Sequence, residues 1–73
     1  MEELDVRGKV CPFPLFYVKR KISEMNPGEE LEIIADDLTA KETIPNWSKI
    51  HDQEIVSIKD EGNFFRIIIR IRE

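Results

Sequence analysis

The 73-residue sequence predicts an α+β two-layer sandwich, with elements in the order β-α-β-α-β-β and both helices on one face of a four-stranded sheet. Three observations carry this. Polar and apolar residues alternate in short runs near the start, the middle and the end of the chain, the two-residue period of a half-buried strand. Between those runs, apolar residues recur at the three- and four-residue spacing of an amphipathic helix. Turn-forming clusters, Asn26-Pro27-Gly28, Asp36-Asp37 and Asp60-Glu61-Gly62-Asn63, separate the elements.

Taken in order, Glu3-Leu4-Asp5-Val6 places Leu4 and Val6 on one side of a short strand, and Arg7-Gly8-Lys9 breaks the alternation. Residues 12–25 form a helix whose buried face is expected to use Leu15, Phe16, Val18, Ile22 and Met25, leaving Lys19, Arg20, Lys21 and Glu24 in water. Asn26-Pro27-Gly28 stops it, because proline cannot continue a helix and glycine accepts turn dihedrals. A strand over residues 30–35 follows, with Leu31, Ile33 and Ala35 on one face and Ile34 on the other. A second helix over residues 39–50 uses Ile44, Trp47 and Ile50 as its stripe. Pro45 is expected to divide it into a single turn from Thr39 and a helix restarting near Ile44. Residues 54–59 and 64–72 make the final hairpin. Phe65, Ile67, Ile69 and Ile71 point inward there, and Phe64, Arg66, Ile68, Arg70 and Arg72 form a face open to water.

Size and charge narrow the function. A chain of 73 residues with 41% hydrophobic content is read as one domain, residues 1–73, burying only about 60% of the surface its unfolded form exposes. Any chemistry is therefore expected at the surface. Lys and Arg number 11 against 15 Asp and Glu, a net charge of -4, so direct nucleic-acid binding is not expected. The acidic start, Met1-Glu2-Glu3-Leu4-Asp5, lacks the features of a secretory signal, and no apolar run is long enough to span a membrane. With one cysteine, neither an internal disulfide nor a thiolate zinc cluster can form. The expectation is a cytoplasmic monomer with a free thiol and no metal or cofactor.

That thiol stands in Val10-Cys11-Pro12-Phe13-Pro14. Proline is favoured in a first helical turn, whose amides lack helical partners, so Pro12 and Pro14 are placed at the first and third helical positions and Cys11 at the N-cap. The Phe13 amide would then be free to meet the sulfur. A helix terminus is worth about 0.3 to 2 kcal/mol, which would bring a thiol from about 8.5 to around 7 to 8. Such a group is partly ionised at neutral pH and remains a good nucleophile for sulfur exchange. The plainer reading is a small buried hydrophobe, the commoner fate of a lone cysteine. Flanking prolines favour an exposed sulfur on a rigid turn instead.

These residues resemble the sulfur-carrier family of TusA, SirA and YedF, which shares a Cys-Pro-x-Pro motif. The resemblance begins at Leu4-Asp5-Val6-Arg7-Gly8 and runs through Cys11-Pro12-Phe13-Pro14-Leu15, Lys19-Arg20 and Pro27-Gly28-Glu29. It continues over Asp36-Asp37, Ala40 and Ile44-Pro45-Asn46-Trp47. It implies two helices on a mixed four-stranded sheet and a sulfurtransferase-type carrier holding a persulfide on Cys11. It also implies a donor, a cysteine desulfurase or rhodanese-like protein, and an acceptor in tRNA thiolation, cofactor assembly or thiosulfate and sulfur metabolism. The sequence departs from the family where Gly-His-Glu is usual, having Asp52-Gln53-Glu54 after the second helix. Aspartate tolerates the left-handed conformation that a glycine there would supply. His51 stands two positions before the family histidine and reads as a surface residue at a helix end.

Other residues have plain readings. Trp47 covers the sheet, and Asp36-Asp37 form a solvated loop. Lys19 and Arg20, beyond the motif on the first helix, are candidates for docking an acidic partner. Two rival functions keep the same fold: an RNA-binding module using Phe64, Phe65, Arg66, Arg70 and Arg72, and a regulatory domain without transfer activity.

Overall fold

The computed structural model describes residues 2–10 and 12–72. The elements are β1 (Glu2–Asp5), α1 (Phe13–Ser23), β2 (Glu30–Ala35), α2 (Leu38–Ile50), β3 (Glu54–Asp60) and β4 (Phe65–Arg70). The sheet order is β1-β2-β4-β3, with β1 parallel to β2 and the other pairs antiparallel, so the sheet is mixed, as the resemblance implied. Joining two parallel neighbours requires a crossover, and α1 supplies it.

Register explains the core. Leu4 lies beside Ile33, Ile33 opposite Ile67, and Ile67 opposite Ile58, while Leu31 pairs with Ile69 and Ile69 with Ile55. Those rows face the helices. Phe65, Ile67, Ile69 and Ile71 are all buried as expected, with Val6, Val18, Leu31, Ile33, Ala35, Ala40 and Ile44 completing the cluster. Each fully buried aliphatic or aromatic side chain contributes about 1.5 to 3 kcal/mol. On the opposite face the charges pair across strands. Arg66 meets Glu32 at 3.2 Å, and Arg70 bridges Glu30 at 2.9 Å and Glu54 at 3.2 Å. Ile34 is nonetheless buried on that face, and the Arg7 and Arg66 guanidiniums each lie 5.4 Å from the Phe64 ring.

Three expectations are corrected. Phe16 is 58% exposed rather than core-facing, and Tyr17 is half-buried. At 100° per residue, Phe16 lies about 200° around the helix from the buried Val18, so both cannot face the sheet. Second, α2 is one continuous helix through Pro45. Proline costs a helix interior about 3 kcal/mol, but here Ala40, Ile44 and Ser48 are buried on both sides of it and hold the two halves in line. The Ser48 hydroxyl also donates to the Ile44 carbonyl at 2.8 Å. Third, the buried stripe of α2 is Ala40, Ile44 and Ser48. Trp47 is half-buried and Ile50 is 77% exposed.

The end of α2 bears out the reading of Asp52. Its φ of 58° is left-handed; its amide donates to Lys49 at 3.3 Å, and the Gln53 amide to the Ser48 carbonyl at 2.7 Å. This is a Schellman motif with aspartate where glycine is usual. Strand β4 stops at Arg70, two residues short of expectation. Ile71 instead bonds the turn after α1, donating to Glu29 and accepting from the Gly28 amide, both at 2.8 Å.

Candidate functional site

The site lies where the chain leaves β1, crosses from the sheet layer and enters α1. Cys11 itself is outside the described residues, so the geometry is that of the chain on either side of it. Before it, Val6 is buried and extends the parallel ladder by donating to the Ile34 carbonyl at 2.8 Å. Asp5 then accepts the Arg7 amide at 3.0 Å and the Arg7 side chain at 2.7 to 3.3 Å. These bonds hold the Asp5 carboxyl down at about 2. Gly8 turns the chain with φ 83° and donates its amide to both oxygens of Asp36, at 3.0 and 3.2 Å. The Lys9 amide reaches back to the Val6 carbonyl at 3.3 Å.

After the cysteine, the helix begins one residue later than predicted. Pro12, with φ -94° and ψ 8°, is the N-cap, Phe13 the first helical residue and Pro14 the second. Cys11 thus immediately precedes the N-cap in sequence. The cause is visible at Phe13, whose amide donates to the Val10 carbonyl at 2.9 Å and closes a turn across residues 10–13. The Phe13 amide is therefore committed, not free for a sulfur as expected. Pro12 and Phe13 are exposed while Pro14 is buried, so one proline pins the helix start to the core and the other faces solvent.

Around this junction the surface is apolar. Val10 is 63%, Phe13 54% and Phe16 58% exposed. Pro12, Phe13, Leu15, Phe16 and Lys19 line a shallow groove of about 260 Å³. Lys19 borders it and lies 6.0 Å from the Trp47 ring, which stacks on the His51 imidazole at 4.6 Å. The His51 Nδ1–H donates to the Trp47 carbonyl at 3.0 Å, which makes this histidine part of the helix end. Arg20 points elsewhere, into a hollow with Leu4, Tyr17, Lys21 and Glu24. The two basic residues taken together in the sequence are thus on different surfaces.

Asp36, read as a solvated loop, is indeed exposed, but sequence reasoning did not foresee its contact with the Gly8 amide, nor the outward Phe16. A usable signal existed for each: Asp36 ends the strand beside β1, and Phe16 falls off the helical phase of Val18. Among the described residues no cluster of three or more His, Cys, Asp or Glu side chains could hold a metal ion, and no helix is long and apolar enough to cross a membrane.

Comparison with known proteins bears on this site. The family model described as sulfurtransferase TusA matches residues 2–71. A provisionally named sulfur carrier protein of Methanocaldococcus jannaschii is 36% identical over 70 residues, covering 96% of this chain and 93% of that protein. A similarly named protein of Thermotoga maritima is 40% identical over 70 residues, covering 94% and 89%. One from Archaeoglobus fulgidus is 31% identical over 70 residues, covering 96% of each. The crystal structure of a SirA-like protein from Desulfitobacterium hafniense superposes with a TM-score of 0.85 over the full length of both chains. At 16% identity, that is a likeness of fold.

Proposed function

Since the chain belongs to the sulfurtransferase TusA family, whose relatives are named as sulfur carriers, we propose that Cys11 carries the sulfur as a persulfide between a donor and an acceptor protein. The observation that carries the reading is the exposure of Val10 and Pro12, the residues that flank the chain's one cysteine in sequence just before α1. In the proposed step the Cys11 thiolate attacks the terminal sulfur of a donor persulfide. A new S–S bond forms, the donor's S–S bond breaks, and the donor cysteine leaves as a thiolate. The sulfur moves at its existing oxidation level, so no oxidant is needed. An acceptor nucleophile repeats the exchange on the carrier persulfide and returns Cys11 as a thiolate. With no second cysteine in the chain, the attacking group must come from another molecule. Open access to Cys11 is therefore a requirement.

The positive end of α1 favours the thiolate, and the apolar groove with Lys19 on its border suits transient docking of a partner with acidic residues around an apolar contact. Arg20, on a separate hollow, contributes by long-range charge. The donor is proposed to be a cysteine desulfurase or rhodanese-like protein. Three of the five residues of the RNA-binding alternative are committed elsewhere: Phe65 is buried, and Arg66 and Arg70 are engaged by Glu32, Glu30 and Glu54. The test is intact mass after incubation with a desulfurase and cysteine, or with polysulfide. The wild type gains one sulfur atom and Cys11→Ser gains none. Equal gain by both proteins would remove Cys11 from the reaction.

A further inference from the structure

We infer that Asp36 is a positioning residue for the sulfur chemistry, fixing through the Gly8 amide the path of the segment that delivers Cys11 to the start of α1. The inference rests on Cys11 being the carrier. Strands β1 and β2 run parallel, with Asp5 beside Ile34, and the Val6 amide makes the next ladder bond to the Ile34 carbonyl. Two residues further along each strand, regular pairing would bring the Gly8 amide to the backbone carbonyl of Asp36. Here β2 has ended, and the Asp36 carboxylate takes that amide with both oxygens, at 3.0 and 3.2 Å. A charged acceptor makes the stronger kind of hydrogen bond. It is formed across 28 positions of sequence.

The ties before it act on other residues: Asp5 holds Arg7, and Arg7 lies over Phe64. The bonds after it are local, Lys9 to Val6 and Phe13 to Val10. The Gly8 to Asp36 contact thus ties this segment to the end of β2. Gly8, at φ 83°, makes it possible. The left-handed turn costs glycine little and a residue with a Cβ more.

The experiment compares Asp36→Ala and Asp36→Asn in the full chain. Asparagine keeps an oxygen for the Gly8 amide but removes the charge. Amide exchange at Gly8 should quicken about tenfold or more in the alanine variant, the factor expected from one charge-assisted hydrogen bond. Protection at Ile33, Ile67 and Ile69 should not change. The rate of Cys11 alkylation by a neutral reagent, measured across pH, should depart from wild type in Asp36→Ala and return toward it in Asp36→Asn, and sulfur transfer from a donor protein should follow the same order. Three results would overturn the inference: unchanged Gly8 exchange in Asp36→Ala, changed exchange with unchanged alkylation and transfer, or an asparagine variant as impaired as alanine. If the wild type takes up no sulfur, the carrier reading fails separately. Exchange and alkylation still decide the role of Asp36.

Discussion

The two outer surfaces of the molecule differ in how far each is satisfied by its own residues. On the open sheet face, Arg66 is met by Glu32 and Arg70 stands between Glu30 and Glu54. That face completes its electrostatics internally, and charged side chains across neighbouring strands also discourage edge-to-edge association. At the start of α1, Val10, Phe13 and Phe16 are more than half exposed, and Phe13 and Phe16 line a shallow groove. Apolar residues gathered on a surface are suited to contact with another molecule, which is the role proposed for them. The difference separates a face built for stability and solubility from one suited to contact.

Substitutions can sharpen this contrast. The largest effect on the fold should come from neither surface. Ile67→Ala, at a fully buried position between β2 and β3, should cost about 2 to 5 kcal/mol, measured by urea unfolding. A loss well under 1 kcal/mol would mean the core relaxes more than this register allows. Next, Phe13→Ala with Phe16→Ala should leave the unfolding midpoint nearly unchanged while lowering kcat/KM for transfer from a donor protein about tenfold, since truncating a central contact residue typically costs more than 1 kcal/mol of binding. If transfer is unaffected, the groove is not the docking site.

Charge effects should be smaller. Lys19→Glu, on the groove border, should slow transfer severalfold at low salt and lose that deficit at high salt, whereas Arg20→Glu, on the other hollow, should do less. Equal effects from the two would break the distinction between the surfaces. The smallest effect concerns Asp5. Arg7 lowers its carboxyl from 3.8 to about 2, so the stabilisation it gives is complete above pH 4 and is lost as pH falls from about 4 to about 2. Thermal melts of Asp5→Asn should be flatter than wild type over that window. Parallel curves would show that the exposed Asp5 to Arg7 pair contributes nothing measurable.

Where a side chain's environment is set by its own strand, the sequence was a good guide: Phe65, Ile67, Ile69 and Ile71 alternate with Arg66, Ile68 and Arg70, and a pleated strand leaves them no other arrangement. The left-handed Asp52 was legible for the same local reason. Errors arose where a distant element decides. Continuity of α2 through Pro45 depends on the surface that Ala40, Ile44 and Ser48 pack against, which local helix chemistry does not contain. Asp36 meets the Gly8 amide only because parallel pairing of β1 with β2 brings the ends of the two strands together. At the helix start, two prolines announced a first turn, but the competing turn from Val10 to Phe13 decided which residue caps it.

The residue on which a transferred sulfur resides can be measured directly. A single turnover with isotopically labelled persulfide donor, quenched and digested under conditions that preserve persulfides, should place the label on the peptide bearing Cys11. A thiol acceptor should then remove it, and the Cys11→Ser protein should carry none. Label on another peptide, or label on Cys11 that no thiol can take up, would contradict a carrier that receives sulfur at the start of α1 and passes it on.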